Sequence, residues 1–131
     1  MLPGCNKDDI DRSLLEGDWG LDSNRYIEKI DGDLVRDYTS TDATTLYTIN
    51  KDKAPNRYIL TITEDTVVSQ INISCSKRGK IHFDRGFWLM NDYEIRSLKT
   101  GAMEWRGRLL NNNYRDYYYR EEIRILRFVR R

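Results

Sequence analysis

Residues 102 to 109 read Ala-Met-Glu-Trp-Arg-Gly-Arg-Leu. In an extended chain Met103, Trp105, Gly107 and Leu109 fall on one side, and Glu104, Arg106 and Arg108 on the other. Successive side chains of a strand point to opposite faces, so this is an antiparallel strand with one wet face. The same test extends along the chain. In Arg57–Thr63, Tyr58, Leu60 and Ile62 oppose Ile59, Thr61 and Thr63. In Thr66–Cys75, Val67, Ile71, Ile73 and Cys75 oppose Val68, Gln70, Asn72 and Ser74. The closing segment, Glu121–Arg130, carries Ile123, Ile125 and Val129 on one side and Leu126 and Phe128 on the other. It is a strand whose facing the sequence leaves open.

Turn signals separate these runs about every eight to twelve residues, as in sandwiches and barrels. They include Asp31-Gly32-Asp33, Lys53-Ala54-Pro55-Asn56, Lys77-Arg78-Gly79-Lys80, Asn91-Asp92, Thr100-Gly101 and Asn111-Asn112-Asn113. Nine Tyr, three Trp and three Phe suit half-buried pleated surfaces. Strands are expected near 19–23, 25–30, 33–39, 43–50, 57–63, 66–75, 80–84 with 87–90, 93–97, 102–109, 114–119 and 121–130, with some merging. Only Asp11–Leu15 reads as a helical turn, capped by Asp11 or Ser13. Successive hairpins without crossovers predict an all-β, antiparallel, up-and-down barrel of about eight strands with a short N-terminal helical turn; closure removes exposed edges.

Composition removes several functions. The 131 residues carry 22 basic and 21 acidic groups, a balance unsuited to a nucleic-acid or anionic-membrane binder. That length is one domain, with a monomer as the expected state. No apolar run approaches the ~20 residues of a membrane helix. One His and two Cys leave few ligands for a metal and few partners for a nucleophile pair. No metal, cofactor or catalytic residue is therefore expected, and the protein reads as no enzyme. His82 shares a strand face with Asp84, but no Ser or Cys can be set beside them from sequence. Tyr114, Tyr117, Tyr118 and Tyr119, with Arg115 and Arg120, read as an outer face rather than a binding rim. Arg124, Arg127, Arg130 and Arg131 make the C-terminal part basic, and Asp116, Glu121 and Glu122 offset them.

The run Leu14-Leu15-Glu16-Gly17-Asp18-Trp19 holds a Gly-x-Trp core at the start of the meander. It resembles the opening motif of lipocalin-like proteins, in which a helical turn leads into the first strand and the Trp plugs one barrel end. Asp92–Leu98 followed by Ala102–Trp105 resembles the paired late strands of small bacterial lipocalin-like domains. Ile123–Arg127 resembles their closing strand, which implies an Arg packed over the opening Trp. The resemblance covers about residues 13–130. It implies a non-enzymatic barrel that binds a small apolar ligand through Trp19, Trp88, Met103 and Trp105. The alternative is a filled barrel, a structural or protein-interaction module without a small-molecule ligand.

Residues 1–13 differ in texture: polar and acidic after Cys5, they are expected to be a flexible tether to a domain spanning 14–131. Leu2-Pro3-Gly4-Cys5 resembles the end of a bacterial lipoprotein signal. That implies acylation of Cys5 and an envelope address, periplasmic or surface-exposed, with the lipid as the membrane contact. Without that lipid the expected address is cytoplasmic. Cys75 lies on the apolar side of its strand and is expected to be an inert buried thiol.

Overall fold

The computed structural model describes residues 9–87, 90–113 and 118–131. A 3-10 turn, Arg12–Leu15, precedes eight strands. These are β1 (Gly17–Ile30), β2 (Asp33–Lys51), β3 (Arg57–Glu64), β4 (Val67–Cys75), β5 (Lys80–Phe87), β6 (Met90–Leu98), β7 (Ala102–Asn113) and β8 (Tyr118–Arg130). Each pairs antiparallel with the next, and β8 pairs with β1 to close the barrel. The expected all-β up-and-down barrel is what forms. The strand pairs expected at 19–23/25–30 and 33–39/43–50 each run together as one long strand, β1 and β2.

Local chemistry explains the punctuation. Asp11 caps the turn, its carboxylate accepting from the Ser13 amide at 3.1 Å. Asp31 (φ 51°) and Gly32 (φ 86°) form the two-residue β1–β2 hairpin. Paired positive φ values suit the twist of the flanking strands, and Asp-Gly adopts them readily.

The barrel is uneven in height. β1 and β2 pair from Gly17↔Ile49 to Ile30↔Asp33, while β2 pairs with β3 only over Leu46–Lys51. β7 and β8 pair as far as Asn113↔Tyr118, while the β6–β7 ladder ends at Glu94↔Arg106. The order β2-β1-β8-β7 therefore continues as a four-stranded sheet beyond the closed part. The molecule has a plugged end, where the chain enters, and a wide end, where this sheet projects.

One ladder irregularity decides which side chains enter. The β1–β8 register shifts between Leu21 and Ser23. Trp19 and Leu21 point inward before it; Asn24, Tyr26 and Glu28 do so after it. β8 then has one facing. Leu126 and Phe128 lie in the core, joined on the same side by Glu122, Arg124 and Arg130. Ile123 and Ile125 face outward. The core holds Trp19, Tyr47, Leu60, Ile73, Cys75, Phe83, Tyr93, Trp105 and Phe128 among others, and Ile10 packs against it. The Ile10 amide also donates to the Lys77 carbonyl at 2.8 Å. Ile10 thus lies against the barrel end.

Candidate functional site

At the plugged end Trp19 is fully buried, and its indole N–H donates to the Leu15 carbonyl at 2.8 Å. The Arg130 guanidinium lies 3.8 Å from the centre of the Trp19 ring. It also donates to the carbonyls of Glu16 at 2.6 Å and Leu14 at 2.7 Å. One cation therefore satisfies the carbonyls of the entering turn and covers the aromatic face. Gly17, at φ 127°, leaves the space that Arg130 fills; a Cβ there would meet its guanidinium. The Arg over the opening Trp is Arg130, beyond the Ile123–Arg127 run, because β8 runs on to pair Arg130 with Trp19.

The other expected ligand contacts are taken up by neighbours. Trp105 has no exposed surface; its ring centre lies 4.7 Å from Phe128, 6.0 Å from Phe83 and 6.2 Å from Tyr93. Its indole N–H points at the Met103 sulfur at 3.3 Å, and Met103 is itself buried. At Gly107 an added Cβ would come within 2.6 Å of the Met90 sulfur and 2.8 Å of the Tyr93 ring. Side chains fill the interior around Trp105. Cys5 and Trp88 lie outside the described residues, as do Tyr114 and Tyr117.

Toward the wide end the interior turns ionic. Buried Glu28 pairs with Arg36 at 3.3 Å and with Arg120. The Tyr26 hydroxyl donates to Glu122 at 2.5 Å, and the Arg124 guanidinium lies 4.8 Å from the Tyr26 ring centre. Burial, reinforced by Glu122, pushes the Tyr26 phenol up to about 12. Sequence reasoning missed this cluster. Its signal, the i, i+2 series Asn24, Tyr26, Glu28 and Arg120, Glu122, Arg124, reads equally well as a solvated face.

The outer surface of the projecting sheet carries a second charged feature. Lys29 on β1, Arg96 on β6 and Arg106 and Arg108 on β7 surround a trough of about 560 Å³, with Glu94, Glu121 and Ile123. Arg108 pairs with Glu121, and Arg96 with Glu94 at 3.5 Å. Lys29 and Arg106 have no carboxylate partner among the described residues. Ile123 faces this surface yet is only 5% exposed, as expected where long cationic stems cover an apolar floor.

A third feature is a polar row on the outside of β4, β5 and β6. Ser74 lies opposite His82, and His82 opposite Asp92. His82 Nδ1 lies 2.7 Å from Asp92 Oδ1. Asp84 instead pairs with Arg57 at 2.9 Å. Among the described residues Ser74 makes no hydrogen bond to the imidazole. Both His82 and Asp92 are more than half exposed, so this open surface has neither the activated hydroxyl nor the dry cleft of acyl transfer. Cys75 is fully buried, and burial raises its thiol to about 11, the Arg12 charge opposing. Such a thiol is a poor nucleophile. Among the described residues no cluster of three His, Cys, Asp or Glu could hold a metal, and no helix is long and apolar enough to cross a membrane. No family model matches the chain, and no curated protein or solved structure matches it either.

Proposed function

We propose that this chain is a non-enzymatic, lipocalin-like module of the cell envelope: a filled, monomeric barrel, lipid-anchored at Cys5, that binds through its outside. One observation carries the choice between a hollow and a filled barrel. The faces of Trp105 are occupied by Phe83, Tyr93 and Phe128, and its N–H by Met103. A barrel of eight strands is just wide enough for side chains to fill. The interior then acts as a rigid scaffold for the projecting sheet, whose two faces carry the unusual charge arrangements. The envelope part rests on the lipobox-like Leu2-Pro3-Gly4-Cys5. It also suits the path of the chain, which enters at the plugged end and leaves the wide end pointing away from an anchor.

Two experiments test the halves separately. Titration with an environment-sensitive apolar dye should give no saturable signal and leave tryptophan emission unchanged. One-to-one binding that quenches tryptophan and is lost in Trp105→Phe would overturn the filled barrel. Metabolic labelling with a fatty acid should mark the wild type, expressed with its native upstream sequence, and spare Cys5→Ala. Equal label in both, or none in either, would overturn the anchor.

A further inference from the structure

We propose that the outer trough bounded by β6, β7, β8 and β1 binds a small dianion, in chemical class a phosphate monoester. The inference deepens the reading that this barrel binds on its outside, and rests on it. Four cations face two carboxylates around the trough, although the whole chain is only +1. The surplus is therefore local. Elsewhere on the same outer face the basic groups are matched: Arg25 with Asp37 at 2.8 Å, and Arg127 with Glu104 at 2.8 Å. In the trough Glu121 and Glu94 engage Arg108 and Arg96. Arg106 and Lys29 are left over, and their two charges match a dianion rather than a diester.

Geometry agrees with charge. Arg106 and Arg108 are two residues apart on β7, so both guanidinium groups project from one face, while Lys29 reaches in from β1 across β8. Planar guanidinium forks match phosphate oxygens, and an ammonium adds a point charge. The volume of about 560 Å³ lies within the range of small-molecule sites. Ile123 gives the floor an apolar patch, which strengthens the ionic contacts above it.

The probe is glycerol 3-phosphate at low salt, followed by amide shifts in a two-dimensional NMR titration, with glycerol as the neutral control. Saturable shifts on β6, β7 and β8 are expected with the phosphate alone. Arg106→Gln and Lys29→Gln should each weaken binding about tenfold or more, the usual scale for a lost charged contact. Arg127→Gln removes the same charge from the same face outside the trough and should leave affinity within about twofold. A second arm uses phosphatidic acid vesicles against phosphatidylcholine vesicles. Arg106-dependent binding only to the former would place the same phosphate on a lipid headgroup; binding of glycerol 3-phosphate would place it on a soluble ester. No saturable binding in either arm, shifts with glycerol alone, or an equal loss in Arg127→Gln would overturn the site. The dye titration reads the filled barrel independently, so the two can fail separately.

Discussion

Arg130 and Arg124 sit six residues apart on β8, on the same inward side, and each lies over an aromatic ring. Arg130, at the plugged end, covers Trp19 and donates to the carbonyls of Glu16 and Leu14. Arg124, toward the wide end, lies over Tyr26 in a cluster with Glu28, Arg120 and Glu122. The first arrangement serves neutral backbone groups around a fully buried indole. The second balances charges that could also be met by water. The same residue type on one strand thus seals one end of the barrel and keeps the other ionic. Stability should be concentrated at the first end and adaptable charge at the second.

The largest expected effect is at the plug. Trp19→Ala should cost about 3–5 kcal/mol in urea unfolding, because a large buried ring leaves a cavity. A loss below about 1 kcal/mol would remove the distinction between the two ends.

Next comes alkaline pH at Cys75, also near the plug. Its thiol is raised from 9.0 to about 11, so between those values the unfolded chain loses this proton and the folded chain keeps it. Stability should be fully present below pH 9 and fall through the window, by up to about 2–3 kcal/mol. In Cys75→Ala that part of the fall should vanish. In the Cys5→Ala background a thiol reagent should leave native Cys75 unlabelled.

At the wide end Glu28→Gln should cost about 1–2 kcal/mol: the carboxylate is buried, but the amide keeps a hydrogen bond and the released Arg36 and Arg120 reach water. A loss exceeding that of Trp19→Ala would invert the comparison. Tyr26→Phe sharpens it further, at about 0.5–1.5 kcal/mol for one hydrogen bond. It should also remove the stability loss expected as pH rises from 10 toward about 12, where only the unfolded phenol ionises. Smallest is Val67→Thr: Val67 is 67% exposed, and such a surface change should stay within about 0.5 kcal/mol.

Much of this was readable beforehand. Alternation grouped Met103, Trp105 and Gly107 on one face and Tyr58, Leu60 and Ile62 on another, the faces the barrel turns inward, because a strand's period of two is a property of the chain itself. Turn chemistry at Asp31-Gly32 set the longest hairpin, and Gly17 before Trp19 marked the start of β1. The trough was not readable, because Lys29 on β1 meets Arg96 on β6 and Arg106 on β7 only when β8 closes the barrel against β1.

What the sequence by itself determined was element type, the turns and the identity of the plug, all of which depend on neighbours within a few residues. What only the tertiary structure decided was facing and partnership. A shift in the ladder after Leu21 turned Asn24, Tyr26 and Glu28 inward. Pairing with β1 chose Leu126 and Phe128, rather than Ile123 and Ile125, for the core. Pairing with β6 gave His82 its partner Asp92, while Asp84 took Arg57. The physical reason is that periodicity is local and register is not. A slip of one residue between two strands exchanges every inward side chain for an outward one. The register is held by contacts such as Arg130 on Trp19 that form only once the barrel has closed.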